Sequence, residues 1–328
     1  MNRNSSDLVS VIIPTYKRPT TLDRAINSIL SQTYSNVEII VVDDNNEGDK
    51  YREETELMMK KYADDSRIHY VKHTHNMNGS AARNTGIAHA RGGFLVFLDD
   101  DDVYNKHKIE RAVTFLNGEG KKYGGVYSNY VKKYHSYIYK ISKLPKSIDT
   151  CYELLSGKCD YGSSYIIRRE FVEKIKGFNP LYRRHQDWEF LIRLLRVCSI
   201  GILPDHDLMI NADAMRIKIS TDTLFNMKKQ LLKEFEEDIN ALGSTAKEDI
   251  YHHQWVEMTS KYLKNKEFKN AYNFAKANIK RKSLSLSDYM TFTLSFVTGI
   301  FPHIMVVIYY LFNLKLKKQT TLIMKDWQ

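Results

Sequence analysis

The chain has 328 residues, of which 43% are hydrophobic and 27% charged, and it carries a formal net charge of +10. This composition excludes an intrinsically disordered chain, and the length is enough for one large domain with an appendage or for two domains. Its three cysteines, Cys151, Cys159 and Cys198, show no CxxC or Cys/His spacing. They therefore argue against a disulfide framework or a zinc site and fit a reducing compartment. The N-terminal sequence MNRNSSDLVSVIIP predicts no signal peptide.

Positive charge is concentrated at the C-terminal end. From residue 260 onward, twelve lysine and arginine residues face three acidic residues. Arginine is scarce there and the same region contains a long apolar segment, whereas nucleic-acid binding usually combines arginine with aromatic contacts. The pattern favours an anionic membrane surface as the partner and argues against nucleic acid.

The first hundred residues alternate between strand and helix patterns. Residues 9–14 and 37–44 are β-branched apolar runs, and between them Leu22, Ala25 and Ile29 keep helical spacing. A polar helix over 49–62, the strand IHYVKH, the helix AARNTGIAHA and the strand FLVFL follow. This order predicts a doubly wound α/β sheet, mostly parallel, with a ligand at the carboxyl ends of its strands.

The next part is less regular, with strands predicted at YGGVYSNYV and YIIRR and a helix at DWEFLIRLLRVC. Beyond residue 218 the pattern is helical. We therefore expect a first domain over 1–218, with halves 1–105 and 106–218. A helical C-terminal region is expected over 219–328, with its apolar segment at 289–312.

Four carboxylates follow the last strand of the first half, in FLVFLDDDD. Alternate residues of an extended chain share a face, so Asp99 and Asp101 can point to one site while Asp100 points away. Two carboxylates on one face suit Mg²⁺ or Mn²⁺. An acidic loop in solvent is the alternative, and the run alone leaves both open.

The surrounding sequence resembles glycosyltransferase family 2. The resemblance rests on VSVIIPTYKRPTTLDRAINSILSQTYSNVEIIVVDDNN, NGSAARNTGIAHARGGFLVFLDDDD, GSSYIIRREFVEKIKGFN and RRHQDWEFLIRL, in this order over residues 8–200. It implies a GT-A fold and an inverting sugar-nucleotide transferase, with 1–105 as the nucleotide-sugar half and 106–218 as the acceptor half.

The resemblance also implies roles for single residues. Asp44 would accept the uracil N–H, Arg83 would contact the nucleotide or its phosphates, and Asp101, with Asp99, would hold the metal of a DxD motif. The residues expected around the nucleotide are Pro14, Thr15, Tyr16, Asp43, Asp44, Arg83, Asp99 and Asp100. Taken singly, each of them also fits a strand-end turn, a helix cap or a surface ion pair.

Asp187 in HQDWEF occupies the position of the family's catalytic base, which takes the proton of the acceptor hydroxyl. A carboxylate stabilised at a helix N-terminus is the alternative, and the two are compatible. His185 is a rival base, and His185, Trp188 and Glu189 are expected on the acceptor side.

Two departures from the family pattern affect the expectation. The histidine that often completes the metal or phosphate site is missing, with only His206, Arg216 and Lys218 near its position. The QxxRW motif of processive synthases is also absent, which implies that one sugar is added at a time.

The segment 289–312 has no charged residue and is flanked by basic residues on both sides. Its polar residues and Pro302 argue against a transmembrane helix. Short helices at the membrane interface are the preferred interpretation, and packing on the domain or on a second copy of the chain is the alternative.

Together these features predict a metal-dependent, non-processive glycosyltransferase that uses Mn²⁺ or Mg²⁺. Its donor would be a UDP-sugar and its acceptor lipid-linked or a polysaccharide, in bacterial surface polysaccharide synthesis at the cytoplasmic face of the membrane. A nucleotidyltransferase is one rival, although PTYKRPTT lacks the glycine of a phosphate loop. A membrane-associated binding or scaffold protein with a decayed site is the other.

Overall fold

The computed structural model describes residues 7–135, 137–145, 147–157, 165–211, 220–278 and 284–300. These residues form two compact units. The first lies within 7–149 and 165–211, and the second comprises 150–157 and the described residues from 220 onward.

The first unit contains a mixed sheet flanked by helices. The described strands are β1 (Val9–Thr15), β2 (Val37–Asp43), β3 (Ile68–Lys72), β4 (Phe94–Phe97), β5 (Val103–Tyr104), β6 (Gly125–Tyr134), β7 (Tyr137–Ile141), β8 (Ser147–Ile148), β9 (Ile166–Arg168) and β10 (Ile200–Asn211). The helices of this unit are α1 (Pro19–Leu30), α2 (Lys50–Met59), α3 (Gly79–His89), α4 (Lys108–Asn117), α6 (Arg169–Lys174) and α7 (Gln186–Leu195). The α/β class expected from the sequence is confirmed.

The sheet order is β3-β2-β1-β4-β9-β6-β10-β5, with β7 beside β6 and β8 beside β10. β1 pairs in parallel with β2 on one side and with β4 on the other. The chain first winds outward through β2 and β3 and then crosses β1 to form β4. This reversal creates a crevice beyond the carboxyl ends of β1 and β4, where ligands bind in open α/β sheets.

The core of this unit follows directly from the apolar runs. β2 and β4 are buried along their whole length, as expected for strands covered on both faces. Helix α1 buries one face, formed by Leu22, Ala25, Ile26 and Ile29. Helix α3 packs closest at Gly86, where a Cβ would lie 2.3 Å from Cγ2 of Ile12 in β1. Glycine at this position lets α3 lie directly on the strand.

β10 is a strand that the sequence pattern did not predict. A proline and three polar residues over 204–207 interrupt its alternation, and its parallel register with β6 shifts between Leu203 and Leu208. The Asn129 side chain stabilises the irregular part, since its Nδ2 donates to the carbonyl of Pro204 over 3.0 Å. A tertiary contact thus compensates for a weak local pattern.

The second unit is helical. Its described helices are α5 (Cys151–Leu155), α8 (Thr221–Glu234), α9 (Glu236–Ala241), α10 (Ser244–Lys264), α11 (Phe268–Asn278) and α12 (Leu286–Ile300). Leu224, Met258, Tyr262 and Ala271 form a core cluster between three of them. Helix α5 belongs to this unit although it lies inside the range expected for the first domain.

Among the described helices none is both long and apolar enough to cross a bilayer. Residues 301–312 of the apolar segment, including Pro302, lie outside the described residues.

Gly86→Ala tests the packing of α3 on β1. The new methyl group would overlap Ile12, so we expect a loss of about 1–3 kcal/mol in the free energy of unfolding, typical of an overpacked core. Urea denaturation measures it. Ala88→Ser adds one heavy atom to the exposed side of the same helix and should change stability by less than about 0.5 kcal/mol. If both substitutions change the free energy of unfolding by the same small amount, the close approach of α3 to β1 is contradicted.

Candidate active site

The carboxyl ends of β1, β2 and β4 bring most of the predicted site residues together. Thr15 ends β1, and its hydroxyl donates to Oδ2 of Asp100 over 2.8 Å, although 85 residues separate the two. Pro14 and Tyr16 on either side are partly exposed, and the Lys17 ammonium lies 5.0 Å from the centre of the Tyr16 ring. The edge therefore combines an aromatic surface with carboxylates.

Asp99, Asp101 and Asp102 each offer one carboxylate oxygen within a radius suited to a metal ion, since these atoms lie within 4.8 Å of one another. Asp99 and Asp101 are partly exposed, whereas Asp102 is buried. Hard oxygen donors at such spacing fit Mg²⁺ or Mn²⁺. The residues predicted as a DxD pair are thus the ones whose arrangement fits a divalent cation, with Asp102 as an additional donor.

The loop that carries these carboxylates is fixed by the end of β10. Asn211 donates from Nδ2 to the carbonyl of Asp101 over 2.7 Å and from its backbone N–H to Oδ1 of Asp102 over 3.3 Å. Because β10 was not predicted from the sequence, the hydrogen bonds from Asn211 to this loop were not predicted either.

Arg83 lies beside the carboxylates. Its Nη2 donates to Oδ1 of Asp99 over 2.6 Å, and its guanidinium lies 5.4 Å from the ring centre of Phe178. Its Nη1 is buried and has no hydrogen-bond partner among the described residues. A buried cationic donor without a partner is costly, and an anionic ligand at this position would satisfy it.

Asp100 is not exposed to the crevice. It is 3% exposed, and its oxygens accept from Thr15 and from Nη1 of Arg18, the latter over 2.9 Å. Burial raises the pKa of Asp100 to about 7, although Arg18 opposes the shift. The contacts give Asp100 a role in holding Thr15 and Arg18 rather than a direct place at the nucleotide.

Sequence reasoning missed Arg18. It immediately precedes α1 and forms ion pairs with both Asp100 and Asp101, at 2.9 Å each. An arginine between a strand end and a helix start was the available signal, because that position faces the crevice of an α/β sheet.

Asp43 and Asp44 lie at the end of β2, and both are buried. Asp43 pairs with Arg52 at 3.1 Å and accepts from the Tyr70 hydroxyl, so its carboxylate is engaged in the interior. Asp44 contacts Nδ1 of His73 at 2.8 Å and accepts from the backbone N–H of Met77 over 2.7 Å.

Asn76 is a further donor to Asp44, from Nδ2 to Oδ2 over 2.7 Å. The Asp44 carboxylate is thus contacted by three groups, from His73, Asn76 and Met77, and Asn76 Nδ2 also donates to the backbone carbonyl of Asp44. Asp44 is held in a fixed orientation at the strand end, which suits the recognition of a ligand N–H.

Asp187 lies in the first turn of α7 and is partly exposed. The start of α7 is held against α3, since the Ser80 hydroxyl donates to Oε1 of Gln186 over 2.7 Å. Desolvation raises the pKa of Asp187 to about 6, Arg83 opposes the rise and Asp99 adds to it. These charges place Asp187 in the same electrostatic environment as the carboxylates of the crevice.

The other predicted residues of this segment differ in position. His185 precedes α7 in the left-handed conformation, with φ 55°, and its ring centre lies 4.9 Å from that of Trp188. Glu189, in contrast, is 1% exposed and forms a bidentate pair with Arg193. Residues two apart on a helix face away from each other, so Glu189 is not retained in the proposed acceptor site.

Of the candidates for the missing histidine, His206 is among the described residues. His206 lies on β10, where its Nε2 is 3.0 Å from the carbonyl oxygen of Ser142. Arg216 and Lys218 lie outside the described residues.

The sequence model of the family named Glycosyl transferase family 2 matches residues 10–176, about half of the chain. The chain belongs to this family. It is a glycosyltransferase, which sets aside the nucleotidyltransferase alternative.

Similar proteins agree with this assignment. An uncharacterized glycosyltransferase of Rickettsia prowazekii is 30% identical over 292 residues, which cover 84% of this chain and 86% of the relative. Another, from Rickettsia bellii, is 33% identical over 201 residues, 59% of this chain but only 28% of the relative's length. Escherichia coli WfgD, a UDP-Glc:α-D-GlcNAc-diphosphoundecaprenol β-1,3-glucosyltransferase, is 34% identical over 109 residues, 33% of this chain and 41% of its own.

Among solved structures, Staphylococcus aureus TarS 1–349 in complex with UDP-GlcNAc superposes with a TM-score of 0.58. The alignment covers 89% of this chain and 81% of that chain at 17% identity. At this identity the likeness concerns the fold, and it confirms the GT-A architecture.

Proposed function

We propose that the protein is a metal-dependent, inverting, non-processive glycosyltransferase that moves one sugar from a UDP-sugar to a lipid-linked or polysaccharide acceptor. The observation that carries the proposal is the grouping of three carboxylates, Arg83 and Asp187 at the switch point of the sheet. Such a site combines the means to hold a charged diphosphate with a carboxylate that can accept a proton.

Donor binding is assigned to the ends of β1, β2 and β4. Asp44 accepts the N–H of the uracil, and Tyr16 contributes its ring beside the base. Arg83 donates from its unsatisfied Nη1 to the diphosphate. Asp101 and Asp99, together with the buried Asp102, would hold a Mn²⁺ or Mg²⁺ ion. When bound, this ion supplies Lewis-acid stabilisation of the charge that develops on the leaving diphosphate.

In the reaction, Asp187 removes the proton of the acceptor hydroxyl. The acceptor oxygen forms a bond to the anomeric carbon on the face opposite the diphosphate, whose bond to that carbon breaks, and UDP leaves. The configuration at the anomeric carbon is thereby inverted. A pKa of about 6 leaves Asp187 mostly ionised at neutral pH while keeping it basic enough to accept a proton.

The substrate class is supported by the names of similar proteins. WfgD uses UDP-Glc and an acceptor on diphosphoundecaprenol, and TarS has been solved with UDP and UDP-GlcNAc. By extension, we assign this chain to bacterial surface polysaccharide synthesis at the cytoplasmic face of the membrane.

A membrane-facing surface is supported by helices α11 and α12 of the second unit. These two helices expose several large apolar side chains, namely Phe268, Tyr272, Leu286, Tyr289, Met290, Leu294 and Phe296. One face of α12 carries Leu286, Tyr289, Met290 and Leu294 at helical spacing, and exposed lysines of α11 lie in the same unit. An apolar face with basic neighbours fits the interface of an anionic membrane, where a lipid-linked acceptor is found.

Asp101→Asn tests the metal assignment. The amide is a weaker ligand for a hard cation, so UDP binding in the presence of Mn²⁺ should fall toward the level measured with chelator. Calorimetric titration with UDP, once in the presence of Mn²⁺ and once in the presence of EDTA, measures the two affinities. Asp65→Asn, at a surface ion pair with Arg67, is the matched control and should bind as the parent does. If the parent binds UDP equally well with EDTA, the metal assignment is wrong.

Asp187→Asn tests the catalytic base. Transfer should fall by roughly 10² to 10⁴, the usual contribution of a general base, while UDP affinity changes little. In the parent, kcat/KM should decline below about pH 6, where Asp187, influenced by Arg83 and Asp99, becomes protonated. This acid limb should be absent in the variant. His185→Gln tests the rival base. If His185→Gln is inactive while Asp187→Asn still transfers sugar, the assignment of the base to Asp187 is wrong.

The triple variant Tyr289→Ser, Met290→Ser and Leu294→Ser tests the membrane surface. All three side chains are exposed, so the fold should persist while flotation with phosphatidylglycerol vesicles falls about tenfold or more. Leu57→Ser with Leu181→Ser removes apolar groups of the first unit that are more exposed than these three, and it should leave flotation unchanged. Binding by the parent should weaken with salt. A parent that does not float at low salt would contradict the assignment.

A further inference from the structure

Arg18 joins the buried part of the carboxylate cluster to the part assigned to the metal. Its Nη1 lies 2.9 Å from Oδ1 of Asp100 and 2.9 Å from Oδ2 of Asp101. The Arg18 side chain is 24% exposed, whereas those of Asp100 and Asp101 are 4% and 14% exposed. One guanidinium nitrogen is therefore shared between an interior carboxylate and a carboxylate of the crevice.

Asp100 anchors Arg18 at this position. Among the described residues, removing the guanidinium would leave the buried Asp100 carboxylate with the Thr15 hydroxyl and the neighbouring negative charge of Asp101, which is strongly unfavourable. An arginine side chain also stays protonated at any physiological pH. Arg18 thus places a permanent positive charge in contact with Asp101.

This charge has opposite effects on the two ligands of the proposed donor site. A divalent cation that binds alone meets carboxylates already partly neutralised by Arg18 on Asp101 and by Arg83 on Asp99. A diphosphate brings negative charge that both guanidinium groups attract. The repulsion that weakens binding of the cation alone is therefore compensated when the cation arrives with the diphosphate.

We propose that Arg18 is a positioning residue that makes metal binding conditional on the nucleotide. It competes with the divalent cation for Asp101 in the absence of a nucleoside diphosphate, and it favours the pair of cation and diphosphate together. This inference rests on the proposed function, because it takes Asp101 as a metal ligand and a nucleoside diphosphate as the co-ligand. By linkage, the cation must strengthen nucleotide binding by the same factor.

The test compares Mn²⁺ affinity without nucleotide and with saturating UDP, from the signal of free Mn²⁺ in electron paramagnetic resonance. The variants are Arg18→Gln and the double variant Arg18→Gln with Asp100→Asn, in which no buried carboxylate loses its cation. Arg67→Gln is the matched control, since Arg67 pairs with Asp65 at 2.7 Å outside the site.

In Arg18→Gln, Mn²⁺ alone should bind about tenfold tighter, equivalent to 1.4 kcal/mol, because a competing charge has been removed. The factor by which UDP raises Mn²⁺ affinity should fall by at least about tenfold. The double variant should change in the same direction, and Arg67→Gln should match the parent.

Unchanged or weaker binding of Mn²⁺ alone in both Arg18 variants, with normal coupling in the parent, would overturn the inference and leave the proposed function intact. A parent that binds no Mn²⁺ even with UDP would instead overturn the proposed metal dependence, and the role of Arg18 with it.

Discussion

The structure of the site depends on ion pairs between arginine side chains and a run of four consecutive aspartates. Asp99 to Asp102 follow a buried strand, and like charges at this spacing repel one another strongly. Arg83 from α3 and Arg18 from the start of α1 each form ion pairs with them, and Asn211 at the end of β10 holds their loop. Elements distant in sequence must therefore converge on this loop, and the reversal of strand order beside β1 is what brings them there.

Environment divides the carboxylates into groups with different roles. Asp43 and Asp100 are buried and engaged with arginine and hydroxyl groups, so they support neighbouring side chains. Asp99 and Asp101 are partly exposed at the crevice. Asp187, with a pKa of about 6, is suited to proton transfer. The same functional group thus serves as structural anchor, candidate metal ligand and candidate base, according to burial and neighbouring charge.

Much of this arrangement could be predicted from sequence because it follows from local patterns. Apolar runs at β1, β2 and β4 predicted buried parallel strands, and their order predicted the strand ends at which a ligand would bind. Alternation along the chain also predicted that Asp100 points away from Asp99 and Asp101. The partners of the buried groups were harder to predict. Asp100 contacts Thr15 and Arg18, and Glu189 is buried against Arg193, through tertiary contacts that no period in the sequence shows. β10 escaped prediction for the same reason.

We propose that the ends of β1 and β4 hold a metal ion together with a nucleoside diphosphate. A crystal structure with UDP and Mn²⁺, with anomalous scattering recorded at the manganese edge, would test this proposal. We expect one anomalous peak within coordination distance of Asp101 and beside the diphosphate, with Arg83 against a phosphate oxygen. UDP bound without such a peak, or a peak remote from Asp99 and Asp101, would contradict it.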